Sequence, residues 1–506
     1  MKYRPLIFTI ISVLMLSLAR LPLHLGFLVF IGWIPLMIVL RDGVSHPLRL
    51  LMMGFVWSLL YCGIVFYWIA QVTWPGLVGI IFLYTLYLWL VFWAIQRIWQ
   101  RIPSLGYLAF VAFIISFEYL QNFGETRFPW WDTGYSLADY LYLIQAVDLG
   151  GMSLLLLLIL LVNILLERLV QKRWRYAIPL LLLFALWLGY GYYRTRTIEL
   201  QQHDIQIHVM QPSIPQEDKW DEMHYKDTVQ RFKRLSEVAA ADSAQLIIWP
   251  EAAVPAYLRY DMRARLDLMD IVHDTGLEIF TGFPDFEPSP PEHFDDAYYF
   301  NAASLFTPDY DVRHPVFHKN ILVPVGERML WIKYLPFLAK LQFGQANWEF
   351  GTQLEYYASH GKRFSPSICY ELAFAHINHR MALPKDEVTG KIDKMDFLAN
   401  LTNDGWFGTS YGPWLHQVMT RYRAVENRIQ IYRSANTGIS VIVDPLGREL
   451  ASAPLFKITN IKAPLYTCTT IPLIRHIHIY PFVFVYIALM LLVASFLIPK
   501  AKEKST

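Results

Sequence analysis

Residues 1–193 form a nearly unbroken series of apolar runs, and that series leaves few folds open. A bilayer turns such runs into helices, because only helices and closed barrels satisfy every backbone N–H and C=O without water. The runs fall at 6–19, 23–40, 50–70, 77–99, 105–120, 152–166 and 176–193, with an eighth at 482–499. A crossing takes about 20 apolar residues, so the first, fifth and sixth runs must draw on their flanks. The whole chain is 55% apolar and only 17% charged, with mean hydropathy +0.30. Residues 200–470 have ordinary globular composition instead. The expected architecture is a polytopic α-helical membrane domain of about eight spans plus a soluble α/β domain. Residues 1–196 carry seven spans, 197–470 the soluble domain, and 471–506 the eighth span and a basic tail.

Lys and Arg placement sets the expected orientation. With the N-terminus inside, the inner segments carry Lys2 and Arg4, Arg41 and Arg49, Arg97 and Arg101, and Arg168, Lys172, Arg173 and Arg175. The tail adds Lys500, Lys502 and Lys504. The short outer loops hold little beyond Arg20 and Arg127, and the loop 121–150 is acidic. Arg194 and Arg196 break the pattern, but they lead into a long domain, where the rule is weak. Both termini are thus expected in the cytoplasm. In a bacterium the soluble domain then sits in the periplasm, against a multi-pass inner-membrane anchor. Lys2 and Arg4 could head a signal peptide, but with no small-residue cleavage motif and six further spans behind it an uncleaved first helix is expected. The net charge of +2, with no basic stripe, gives no sign of a nucleic-acid partner.

Within 197–470, strands are expected at 205–211, 246–249, 277–282, 301–306, 367–370, 397–401 and 438–443, with helices at 225–241 and 263–273. Such alternation implies a core sheet covered by helices, with functional side chains just after strand ends. The acidic, proline-rich stretch 284–299 reads as a flexible exposed loop.

Cys369 is one of only three cysteines. Cys62 lies in a predicted span and Cys468 near the last one, so Cys369 has no evident partner in the soluble domain. Two readings stand: a small buried hydrophobe, or a nucleophile. The neighbouring Glu371 resists burial without donors or a function. No metal-ligand spacing and no dinucleotide or phosphate-binding loop occurs, so neither a metal nor a cofactor is expected.

Three segments, LIIWPEAAVP (246–255), FHKNILVPVGE (317–327) and SICYE (367–371), resemble the catalytic segments of the nitrilase or carbon-nitrogen hydrolase superfamily. TNDGWFG (402–408) and RAVENRIQIYRSANTGIS (423–440) match as well. Such a domain between seven spans and an eighth resembles the apolipoprotein N-acyltransferase family. The resemblance covers essentially the whole chain. It implies an α-β-β-α sandwich, and a triad of Glu251 as base, Lys319 as cation and Cys369 as nucleophile. It also implies that Glu327 orients Lys319 or the intermediate, and that Tyr370 and Glu371 support the nucleophile. Trp220 matches a tryptophan near the substrate entrance, though a surface packing role fits it equally. Asn403 could orient a loop facing the site, but Asn-Asp-Gly is also a plain turn signal. MQPSIPQEDKW (210–220) departs from the Gly-Asn pair usual before Ile-Pro-Gln, at a binding loop.

The chemistry stands beside the resemblance. Acyl transfer from an ester to an amine needs a nucleophile, a base and a stabiliser for the oxyanion. Cys369, Glu251 and Lys319 are the residue types for those tasks, whereas an ion pair between strand ends is the structural alternative for Glu251 and Lys319. The implied reaction is a two-step exchange. A membrane phospholipid, chiefly phosphatidylethanolamine, acylates Cys369. The α-amine of the S-diacylglyceryl-cysteine of an apolipoprotein then takes the chain. A membrane-tethered amidase and a non-enzymatic lipid carrier are the alternatives, the second weakened by a lack of charges within the spans. The apolar stretch 329–350, including Leu341 and Phe343, reads either as a core helix or as a mobile arm on the bilayer surface that gates lipid entry.

Overall fold

A computed structural model describes residues 3–289, 297–309, 315–332, 334–340, 346–386 and 389–498. The chain divides into two compact units, Met1–Thr195 with His476–Thr506, and Arg196–Arg475.

The first unit is helical. Five of its helices are long and apolar enough to cross a membrane: Pro47–Val65, Trp74–Arg101, Pro103–Leu120, Val147–Val170 and Trp174–Thr197. The first run forms the 17-residue helix Arg4–Arg20 and the last the 16-residue helix Phe482–Leu497. The second run forms three short helical pieces, Gly26–Leu28, Val29–Gly32 and Ile34–Asp42, with Gly32 and Pro35 at the join. Gly150 and Gly151 leave helical angles near the start of Val147–Val170, so the regular helix begins where the apolar run does. Buried charges gather at the ends of the runs, Arg20, Asp148 and Glu167 just outside them and Glu118 just inside. Arg20, Glu118, Asp148 and Glu167 are all buried in this unit. Each lies near a helix end, and the three carboxylates are hydrogen-bonded: the Thr133 N–H donates to Glu118 at 3.0 Å, Tyr107 to Glu167 at 2.8 Å and Arg194 to Asp148 at 2.8 Å. Lys500, Lys502 and Lys504 lie outside the described residues.

The second unit holds two six-stranded sheets. One runs β12-β1-β2-β3-β4-β5, from β1 (Gln201–Gln211), β2 (Leu246–Ile248), β3 (Glu278–Pro288), β4 (Ala297–Phe306), β5 (Phe317–His318) and β12 (Thr459–Thr467). The other runs β11-β10-β9-β8-β7-β6, from β6 (Tyr357–Ser359), β7 (Lys362–Ile368), β8 (Phe397–Thr402), β9 (Gln430–Ala435), β10 (Ser440–Val443) and β11 (Glu449–Ala453). The centre of each sheet is parallel, β1-β2-β3 and β7-β8-β9, and antiparallel strands flank it. Parallel strands buried on both faces read as apolar runs, and β2 and β8 are buried at every residue.

The sheets pack face to face. Phe280 of β3 meets Phe364 of β7 edge to face at 5.0 Å, and Ser434 of β9 donates to the Met210 carbonyl of β1 at 2.8 Å. Helices Tyr225–Ala241 and Met262–Thr275 cover the outer face of the first sheet, where Phe232, Leu268 and Ile271 pack with Ile247 and Trp249. Helices Ala375–Ala382 and Gly412–Asn427 flank the second. The result is the α-β-β-α sandwich.

Three local expectations change. The stretch 284–299 is not a loop at both ends: Pro284–Pro288 and 297–299 belong to the β3-β4 hairpin, which pairs Ile279 with Phe306 through to Pro288 with Ala297. Prolines are tolerated there because the antiparallel pairing leaves alternate N–H groups unused. The expected strand 367–370 ends at Ile368, and a 3-10 turn Cys369–Ala373 follows. In the stretch 329–350, no long core helix forms among the described residues. Met329 and Ile332 are buried, Trp331, Tyr334, Leu335 and Phe337 are exposed, and a 3-10 turn spans Pro336–Lys340. Leu341 and Phe343 lie outside the described residues.

Candidate active site

The site sits at the carboxyl ends of the parallel strands, where side chains leave the sheet and backbone donors converge. Glu251 follows β2, Lys319 follows β5, Cys369 follows β7 and Asn403 follows β8. The turn after β2 is tight, with Ala252 at φ +43°. Gly282 of β3 lies against it: a Cβ there would come within 2.7 Å of the Ala252 nitrogen, so glycine lets the base approach the sheet.

Lys319 is fully buried between two carboxylates. Its Nζ donates to Glu327 Oε1 at 2.8 Å and to Glu251 Oε1 at 3.4 Å. Burial disfavours the ammonium, but Glu327 and then Glu251 outweigh it, and the lysine pKa is raised. Lys319 is therefore a fixed cation at neutral pH. Asn301, on β4, donates from Nδ2 to Glu251 Oε1 at 2.6 Å and to Glu327 Oε1 at 3.3 Å. The Asn403 backbone N–H donates to Glu251 Oε2 at 2.8 Å, and the Val323 N–H to Glu327 Oε2 at 2.8 Å. Both carboxylates are thus oriented at two oxygens each. The left-handed residue in the Glu327 turn is Val325, at φ +65°, not the glycine beside it.

Cys369 is half-buried and itself left-handed, at φ +49°. Such a conformation costs a non-glycine residue on the order of 1–2 kcal/mol, and it persists only where the surroundings hold it. Burial raises the thiol pKa and Glu251 raises it further, against the pull of Lys319. A thiol held protonated needs a base, and Glu251 is the carboxylate that acts on it most strongly.

Glu371 is fully buried and finds its donors in the backbone. It accepts from the N–H groups of Asn320 at 2.6 Å, Ile321 at 3.3 Å and Ile368 at 2.7 Å. It ties the segment after Lys319 to the segment before Cys369. Burial pushes its pKa up to about 7, opposed by those donors and by Lys319. Tyr370 is buried with its ring edge-on to Phe374 at 5.0 Å. Trp220 is half exposed on the segment after β1, apart from the hydrogen-bonded cluster.

Sequence reasoning missed four residues here. Lys219, beside Trp220, is buried and donates to the Glu251 carbonyl at 2.8 Å. Burial pulls its pKa down to about 8, against the charges of Glu251 and Cys369. Asn301 carried only a strand signal, Arg433 only its place in the family-like segment 423–440, and His416 no catalytic signal. Asn403 does more than turn the chain: its side chain donates to Gln216 at 2.7 Å and accepts from Asn436 at 3.1 Å.

Cys369, Asp404 and His416 offer ligand-type atoms within 4.8 Å of one another. Both Asp404 oxygens are already engaged, Oδ1 by Thr402 at 2.9 Å and Oδ2 by Arg433 at 2.6 Å. The buried guanidinium opposes a second cation, so the group is better suited to a hydrogen-bond network than to a metal.

Comparison with known proteins agrees with this geometry. Residues 207–468 match the carbon-nitrogen hydrolase family, and residues 12–165 match the apolipoprotein N-acyltransferase N-terminal domain. An apolipoprotein N-acyltransferase of Geobacter metallireducens is 31% identical over 90% of this chain and 88% of its own length. The chain belongs to the apolipoprotein N-acyltransferase family. A family member from Chlorobaculum tepidum is 28% identical over 85% of this chain and 84% of its own. An amidase from Nesterenkonia sp. of known structure is 18% identical, with a TM-score of 0.38, and covers 54% of this chain and 93% of its own. Family membership spans both units, the helical one included. The amidase-only and lipid-carrier readings give no account of the match at residues 12–165.

Proposed function

We propose that this chain transfers an acyl chain from a membrane phospholipid, through a thioester on Cys369, to the α-amine of the N-terminal S-diacylglyceryl-cysteine of apolipoproteins. The observation that carries the proposal is the strained cysteine after β7 facing a base and a fixed cation, in a chain of this family.

In the first step Glu251 takes the thiol proton, and the thiolate attacks the ester carbonyl. Lys319 offsets the charge on the tetrahedral oxyanion. The C–O bond then breaks, the proton passes from Glu251 to the leaving oxygen, and a lysophospholipid departs. In the second step the acceptor amine attacks the thioester, Glu251 takes its surplus proton, and the C–S bond breaks. The thiol recovers that proton and an amide remains. No oxidant, metal or cofactor enters this scheme. Glu327 holds Lys319, and Glu371 fixes the two segments that carry Lys319 and Cys369.

Phosphatidylethanolamine is proposed as the chief donor. All eight apolar stretches are proposed to cross a bacterial inner membrane, with the second crossing as a broken helix. The Lys/Arg pattern then puts 197–470 in the periplasm and both termini in the cytoplasm. The exposed Trp331, Tyr334, Leu335 and Phe337 are proposed to lie in the outer leaflet and gate lipid entry, with Trp220 near the entrance.

The test is a two-substrate assay with acyl-labelled phospholipid and a diacylglyceryl peptide. Label should move to the peptide amine, and Cys369→Ser should abolish the transfer. Full turnover by Cys369→Ser would remove the nucleophile assignment.

A further inference from the structure

A left-handed cysteine must be held in place, and the triad does not hold it. Glu251 and Lys319 act on the sulfur by charge, and Glu371 grips the N–H of Ile368, one residue earlier. The Cys369 carbonyl instead faces His416 Nε2 at 3.1 Å. We propose that His416 is a positioning residue for acyl transfer: its Nε2–H donates to the Cys369 carbonyl and locks the nucleophile in its left-handed turn. The inference rests on Cys369 being the nucleophile.

His416 is fully buried on the helix Gly412–Asn427. Its Nδ1 lies 2.9 Å from Asp404 Oδ1 and 3.1 Å from Arg433 Nη2. Three protonation patterns can be weighed against these contacts. A ring protonated only at Nδ1 would set the bare Nε2 against the Cys369 carbonyl, two acceptors facing at hydrogen-bond distance. A ring protonated only at Nε2 donates to that carbonyl and accepts from Arg433 at Nδ1, but sets that bare Nδ1 against Asp404 Oδ1. A doubly protonated ring donates to the carbonyl and to Asp404. Only the doubly protonated ring satisfies both acceptors, and both patterns that engage the Cys369 carbonyl carry the Nε2–H. Burial and the Arg433 charge lower the ring pKa and favour the neutral form, whereas Asp404 opposes them.

Charged and titratable groups face the ring from two elements and from the nucleophile's own turn. They are Asp404 from the turn after β8, Arg433 from β9 and the Cys369 thiol, with the Phe407 ring edge-on at 6.4 Å. Asp404 and Arg433 orient the imidazole as one unit. Arg433 is braced in turn by Asn400, whose Oδ1 accepts from Nη1 at 2.6 Å. A chain of buried hydrogen bonds thus runs from β8 and β9 to the backbone of the nucleophile.

Paired substitutions in the full-length protein in bilayer vesicles give the test. His416→Gln keeps a donor at the reach of Nε2. His416→Asn keeps an amide near Nδ1 but cannot reach the Cys369 carbonyl. A nucleophile displaced by about 1 Å loses roughly 100-fold in rate. We therefore expect His416→Asn to lower the rate of Cys369 acylation from phospholipid by roughly 10- to 100-fold, with phospholipid KM unchanged, and His416→Gln to recover most of it. The alkaline limb of Cys369 alkylation by iodoacetamide should shift in His416→Asn and return in His416→Gln. A merely structural role would move melting temperature alike in both and rescue neither. Equal acylation by the two variants at wild-type rates overturns the proposal. Absence of acylation in the wild type would instead overturn the thioester reading itself. A measurement on the wild type stands if both variants unfold. With 15N-histidine and 13C-carbonyl-cysteine labels, solid-state NMR should find a protonated ring nitrogen coupled to a cysteine carbonyl. A bare nitrogen in that position contradicts the proposal.

Discussion

The two units obey opposite burial rules. In the helical unit the outward side chains are apolar: Leu181 is 69% exposed, Leu186 73% and Met490 72%. Its buried charges, Arg20, Glu118 and Glu167 among them, lie inside. In the sandwich unit the strands bury their apolar residues, and buried polar groups such as Asn301 and Arg433 are held by hydrogen bonds. A surface like that of the first unit would aggregate in water and is matched by lipid. In the sandwich unit Trp331, Tyr334, Leu335 and Phe337 are exposed close together in sequence, beside scattered exposed residues such as Met223 and Met262. The difference teaches that the two units are built for different surroundings, the helical one for lipid.

The largest expected effect tests the polar cluster at the strand ends. Glu251→Gln keeps the shape but removes the base, and acylation should fall by roughly 10²- to 10⁴-fold. Label on Cys369 is read directly, apart from product. Wild-type labelling would leave Glu251 a structural ion-pair partner of Lys319 and nothing more.

Next comes a buried charge in the sandwich. The pKa of Glu371 is raised in the fold, to about 7 from the usual 4.5. A raised acid favours its protonated form in the native state. Its contribution to stability is complete below pH 4.5 or so and is lost as pH rises through about 7. The span is on the order of 3 kcal/mol. Glu371→Gln should be less stable overall, having lost an acceptor for three backbone donors, yet should lack that slope. Chemical denaturation of residues 196–475 followed between pH 4 and 8 checks it. An unchanged slope would mean that Glu371 stays ionised in both states.

The smallest effect tests the surface stretch. Replacing Trp331, Leu335 and Phe337 together with serine removes apolar area worth roughly 25 cal/mol per Å² when buried. Use of bilayer phospholipid should fall by roughly 10- to 100-fold. A short-chain soluble ester should acylate Cys369 as before. Equal loss with both donors would place the stretch in the folded core instead.

Glu251, Lys319 and Cys369 were singled out because the segments that carry them resemble family motifs, and the structure brings Lys319 within 3.4 Å of Glu251. The sandwich was legible only in outline. β12 pairs with β1 across more than 240 residues, and its sequence, TNIKAPLYT, alternates weakly. β9 was hidden because QIYRSA carries Arg433, whose burial depends on Asn400 and Asp404 from elsewhere in the chain. Prolines and acidic residues made 284–299 look like a loop, although long-range pairing extends the hairpin into both ends. Asn301 and Lys219 act on Glu251 from 50 and 32 residues away, and no local period reports such contacts. Hydropathy sees an apolar run at 23–40, but not its division into three short helical pieces.

The most direct test of the central claim is peptide mass spectrometry of the full-length protein after incubation with labelled phospholipid and no acceptor. The account predicts one acyl mass on the peptide carrying Cys369, removed by hydroxylamine and by addition of a diacylglyceryl peptide. Product formed while the adduct lies on another residue, or while Cys369 remains free throughout, would contradict it.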